Sequence, residues 1–152
     1  MFKTSLKTLT ALGVALCLSV GTPASSGGLF SAAIRVNESV ITNFELQQRQ
    51  RFLEVLKFPG NPSSLAREQL IEERLKQGEA KKLGIRVPEQ VLKASIEEYA
   101  GRANLSPEEF ISELEKAGVD QSTLIEFLRT AILWSEVVRA KFGAQSAISE
   151  EQ

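Results

Sequence analysis

The chain has 152 residues, 43% of them hydrophobic, and its 18 Lys and Arg against 19 Asp and Glu leave a formal net charge of −1. That balance excludes the strong basic excess of a nucleic-acid-binding domain, and the length suits one domain behind a targeting segment. With no histidine and a single cysteine, Ser–His and Cys–His nucleophile pairs and the usual zinc ligand sets have nothing to be built from.

Residues 1–33 read as a signal peptide and spacer. Lys3 and Lys7 form a positive n-region, and Leu9 to Val20 is a mostly apolar run. The run has the length of a signal-peptide core and falls short of the roughly 20 residues that span a bilayer. Gly21 and Pro23 break it, and small residues allow cleavage after Ala24, Ser26 or Ala33. The expectation is export to the periplasm with no stable membrane insertion after cleavage. Cys17 lies inside the apolar run, with Leu16 where a lipoprotein signal needs a small residue. The exported chain is therefore expected to hold itself together without thiols or disulfides. Losing Lys3 and Lys7 leaves 16 basic against 19 acidic side chains, a charge of −3.

Ile34 to Ile41 reads as a small hairpin turning at Asn37-Glu38-Ser39, since Asn tolerates left-handed backbone and Ser bonds locally. A ribbon of two strands is barely stable alone, so it must lean on helices or gain a strand from elsewhere. Thr42 with Glu45 three residues on is a capping box that starts a helix over Asn43–Lys57. Phe44, Phe52, Val55 and Leu56 are its apolar side. "FPGNPSS" (58–64) is a loop. A second helix follows over Ser64–Leu83, with Leu65, Ile71, Leu75 and Gly78 as its stripe, Leu70 beside it, and Gly84 as a left-handed stop.

Pro88 suits the first turn of a third helix, to about Arg102, with Leu92, Ile96, Tyr99 and Ala103 on one side. Ser106, Pro107 and Glu109 start a fourth. It runs to about Ala117 with Phe110, Ile111 and Leu114 inward, and Gly118 ends it. A fifth, capped by Asp120, runs to Phe142 and stops at Gly143. Leu124, Ile125, Phe127, Leu128, Ile132, Leu133, Trp134, Val137 and Val138 cover more than one stripe of it. A helix apolar nearly all round is normally buried, so it is either the central helix or has a flank left for a partner.

The fold class is thus mostly α: a short N-terminal β element followed by about five helices in an irregular module. The acidic pairs Glu72-Glu73, Glu97-Glu98 and Glu108-Glu109 read as solvated helix faces, because adjacent helical side chains point about 100° apart. No catalytic, cofactor-binding or metal site is assigned. Phe127, Leu133 and Trp134 are the candidate peptide-binding residues, as walls of a groove beside the fifth helix.

The order of these pieces resembles the SurA family of periplasmic chaperones. The stretches that carry the likeness are "VNESVITNFEL" (36–46), "LIEERLKQGEAKKLGIRVPEQVLKASIEEYA" (70–100) and "NLSPEEFISELEKAGVDQSTLIEFLRTAI" (104–132). Related chaperone domains occur in the exported foldases PrsA and PpiD. The resemblance implies an N-terminal chaperone domain over residues 34–146, with 147–152 beginning a linker. It also implies a holdase for unfolded outer-membrane proteins or other exported polypeptides. Family members usually continue into parvulin-type prolyl isomerase domains. None is visible in these residues, so no isomerase activity is assigned to them. The alternatives are a piece of such an isomerase lacking its catalytic domain, or a helical subunit that associates with itself.

Overall fold

The computed structural model describes residues 28–149, with side chains through residue 143. The leader, Cys17 and the last three residues lie outside the described residues. Two strands, β1 (Ala32–Val36) and β2 (Ser39–Thr42), are followed by α1 (Asn43–Val55), α2 (Pro62–Lys82), α3 (Glu89–Gly101), α4 (Pro107–Lys116) and α5 (Gln121–Ser149). The strands form an antiparallel hairpin that pairs Ile34 with Ile41 and Val36 with Ser39. Asn37 turns it at φ 52°, a conformation that Asn accepts at low cost.

The hairpin leans on helices, as a two-strand ribbon must. Ile41 is fully buried, and the Val40 carbonyl accepts a hydrogen bond from Arg74 Nε of α2 at 3.3 Å. Residues 28–31 also belong to the fold. The amides of Asn43 and Phe44 donate to the carbonyls of Ser31 and Leu29, and the rings of Phe30 and Phe44 stand 5.4 Å apart. Residues 28–31 thus pack against the start of α1.

Both capping boxes form as expected. Thr42 Oγ1 accepts from the Glu45 amide while Glu45 accepts from the Thr42 amide, and Ser106 and Glu109 do the same at α4. Thr42→Ala and Ser106→Ala should each lower stability by about 1 kcal/mol, the usual value of an N-cap. Urea denaturation midpoints check this, and unchanged midpoints would mean that these caps contribute nothing.

Several boundaries and faces differ from the sequence reading. Helix α2 starts at Pro62 rather than Ser64, because Asn61 caps it. Pro88 is the N-cap of α3 instead of its first helical residue. Helix α5 runs through Gly143 to Ser149. A glycine inside a helix costs only about 1 kcal/mol, and the alanines that follow are strong helix formers. Val55 and Leu75 are 37% and 47% exposed, and Ala103 is exposed. The inward face of α1 is Arg49, Phe52 and Leu53, and that of α2 is Ala66, Leu70, Glu73 and Ala80.

Helix α5 touches all four other helices, so it is the central helix. Leu124, Leu128 and Val137 are its buried apolar residues. Leu124 and Leu128 join Phe52, Leu92, Ala100, Phe110, Leu114 and Val119 in the main core. Helices α2 and α5 run side by side in the same direction: Gln77 bonds Thr130, and Glu79 bonds Lys141 further along both. Hydrogen bonds from Lys141 first and Lys82 second hold the Glu79 carboxyl at about 2. That link is intact above the ordinary carboxylate range and is lost only as pH falls toward 2.

Candidate peptide-binding surface

Three places on the helical module carry apolar or unusual chemistry. The first is an arc of five aromatic rings. Successive centroids are 6.5 Å apart for Phe58 and Phe52, 5.4 Å for Phe52 and Phe127, 6.1 Å for Phe127 and Tyr99, and 5.8 Å for Tyr99 and Phe110. These tilted and edge-on contacts lie within the range that aromatic pairs prefer. Phe58 and Tyr99 reach a groove of about 410 Å³ with the buried Phe110 at its floor, and its other walls are Leu56, Lys57, Pro59, Arg102 and Ala103. Burial raises the Tyr99 hydroxyl pKa above its ordinary value against the opposing pull of Arg102, so this wall is neutral at physiological pH.

The groove's rim has an uncommon backbone. Lys57 sits at φ 55°, and the other positive-φ residues described are Asn37, Asn104 and glycines. The conformation follows from how α1 ends: the Lys57 amide donates to the Glu54 carbonyl and the Phe58 amide to that of Leu53, the paired bonds of a Schellman stop. That stop is usually filled by glycine, and a side chain there costs about 1–2 kcal/mol.

The second place is a groove of about 470 Å³ between the segment before α3 and the middle of α5. Ile85, Pro88, Val91 and Ile132 form its apolar floor, and Arg86, Glu136 and Arg139 its charged edge. The third is the outer flank of α5, where Trp134 and Val138 are each 38% exposed and Phe142 is 53% exposed. Lys76 of α2 lies over the Trp134 ring at 5.6 Å.

The three residues picked from sequence are not gathered into one wall. Phe127 is the middle ring of the arc, packed behind the first groove, with Arg49 stacked on it at 5.2 Å. Leu133 is half-buried, and Trp134 faces outward beside α2. Phe127 and Trp134 are seven residues apart and share a helical side, whereas Leu133 points about 100° away from Trp134. Trp134→Ala should cost about 1–2 kcal/mol, well below the 3–5 kcal/mol of emptying a sealed aromatic site, because more than a third of the side chain is already in water. Thermal denaturation measures it, and a loss above 3 kcal/mol would place Trp134 in the core.

Sequence reading missed Lys57 as a groove residue, because the proline-rich stretch after α1 reads only as a loop. It also missed a buried polar site. Arg49 is 1% and Glu73 7% exposed, and they pair through two hydrogen bonds of 2.5 and 3.0 Å. Glu73 is therefore not the solvated residue expected, although its neighbour Glu72 is exposed and pairs with Lys76. The signal was the spacing of Ala66, Leu70, Glu73 and Ala80, by four, three and seven, which sets Glu73 on the inward stripe. Beside this pair, Glu45 bonds Arg74, Arg74 bonds Gln77, and Gln77 bonds the buried Thr130. Among the described residues no group of three or more His, Cys, Asp or Glu is placed to hold a metal. No described helix is long and apolar enough to cross a membrane.

Residues 31–138 match the family described as the SurA N-terminal domain. Among curated proteins, the chain is 25% identical over 125 residues to a Chaperone SurA of Methylococcus capsulatus, covering 77% of this chain and 28% of that protein. It is also 25% identical over 160 residues to a Chaperone SurA of Burkholderia orbicola, covering 95% of this chain and 35% of that protein. The Chaperone SurA of Burkholderia lata matches to the same extent. The chain thus spans about a third of the length of these relatives. No solved structure matches.

Proposed function

Because the chain belongs to the SurA N-terminal domain family, whose homologues here are chaperones, we propose that it is a holdase module that shields unfolded exported polypeptides in the periplasm. Its clients are unfolded outer-membrane proteins, and it acts by apolar contact without chemistry on them. The observation that carries this reading is the apolar surface beside the central helix. Trp134 and Val138 stay exposed on α5 although α5 already packs on four helices. An exposed apolar flank, on a module that also carries two open grooves, fits extended, sequence-varied segments, each contact being weak and replaceable. Phe127, Leu133 and Trp134 serve as contact or supporting residues of this surface. Prolyl isomerisation is not assigned to these residues.

Export by a cleaved signal peptide is part of the proposal. Cleavage after Ala24 or Ser26 keeps Phe30 against Phe44 and keeps all of β1. Cleavage after Ala33 would remove both Phe30 and the start of that strand, so the earlier sites are favoured.

The test is light scattering of a urea-unfolded outer-membrane protein diluted into buffer with the purified protein. Aggregation should fall in proportion to added protein, and emission from the only tryptophan, Trp134, should shift as client is added. Unchanged scattering at a several-fold molar excess would overturn the holdase reading. Sedimentation in the same buffer identifies the alternative, an apolar flank used for self-association.

A further inference from the structure

The groove at the end of α1 has a charge pattern unlike that of the chain as a whole. The chain carries a net charge of −1, yet the residues lining this groove include two cations, Lys57 and Arg102, and no carboxylate. The groove beside α5, in contrast, has Glu136 among its arginines. Arg102 lies over the Tyr99 ring at 5.7 Å and reaches back to Glu98 at 2.8 Å on the exposed surface. Lys57 has no ion pair among the described residues, and it holds a left-handed position that its side chain disfavours.

Resting on the holdase reading, we infer that this groove takes an extended polypeptide segment with an aromatic side chain followed within one or two residues by Asp or Glu. The aromatic ring packs among Phe58, Tyr99 and Phe110. The carboxylate meets Lys57 and Arg102 at the rim. A volume of about 410 Å³ lies within the size range of small-ligand pockets and has room for one ring with its flanking backbone. The rim cations are solvent-exposed, so their share of the affinity is modest and salt-sensitive. Their effect is selection: among many apolar segments, those with a nearby acid are held longer.

The test uses two end-blocked, fluorescently labelled peptides that differ only in two glutamates or two glutamines after a single phenylalanine. Anisotropy titrations with the purified protein should give about three- to tenfold tighter binding of the glutamate peptide at low salt. The preference should fade by roughly 0.5 M salt. Lys57→Asn is the decisive variant, because asparagine accepts the left-handed backbone and the fold is kept. Lys57→Asn and Arg102→Gln should each weaken the preference, and together they should abolish it. Equal affinity of the two peptides, or a preference that survives in the double variant, overturns the inference. If neither peptide binds while the protein still suppresses aggregation, this groove is not the client site and the holdase reading stands. If neither peptide binds and aggregation is not suppressed, both fall together.

Discussion

Arg49→Ala should lower stability by about 3–5 kcal/mol, the cost of stranding one partner of a buried ion pair. The Glu73 carboxylate would keep its buried position on α2 and lose both hydrogen bonds from the guanidinium. The arginine also stacks on Phe52 and Phe127 at 5.9 and 5.2 Å, so its truncation removes packing as well as charge. A paired replacement should behave differently. Arg49→Met with Glu73→Leu removes both charges together, and it also removes the Arg49 Nε, which has no hydrogen-bond partner among the described residues. Leaving such a donor buried costs about 1–3 kcal/mol. The double variant should therefore recover most of the loss and come within about 1–2 kcal/mol of the parent. Urea denaturation of the two singles and the double forms the cycle. Additive losses would mean that the two side chains act independently and that the pair is not what joins α1 to α2.

Phe52→Ala should cost a comparable amount, about 3–5 kcal/mol, through a cavity at the centre of the molecule. The side chain is fully buried and is the second ring of the aromatic arc, between Phe58 and Phe127. For a domain of this size the loss corresponds to a fall in Tm of roughly 10–20 °C. The effect should reach the surface too. Phe58 rests on the Phe52 ring and forms a wall of the aromatic groove, so peptide binding there should weaken beyond what a surface variant of Phe58 produces. Phe52→Leu keeps most of the apolar volume and should cost less than half as much. A small Tm change for Phe52→Ala would show that α1 repacks around the gap and that the arc is not a rigid support.

Much of the local structure is legible in the residues themselves, because its causes lie within a few positions. Thr42 with Glu45, and Ser106 with Pro107 and Glu109, fix two helix starts through bonds made inside one turn. Gly84 and Gly118 stop helices at φ 67° and 79° because they lack a Cβ. The hairpin turn at Asn37 and the excess of apolar residues on α5 are equally local. The lack of histidine, and of any cysteine beyond Cys17, limits the chemistry before any fold is known.

Long-range partners decided the rest. Glu73 reads as a surface carboxylate until Arg49, 24 residues earlier, supplies its counter-charge in the interior. Leu75 and Val55 read as core until α2 turns to bury Glu73 and Leu70, and α1 to bury Arg49 and Leu53 beside Phe52. Phe127 reads as a groove wall, but Phe52 from α1 and Tyr99 from α3 close over it from both sides. The groove itself is built from the end of α1, the loop after it and the end of α3, with Phe110 of α4 beneath. Helical periodicity places a residue on a face. Which faces meet depends on the packing of whole helices against one another, and a single chain read in order does not carry that information.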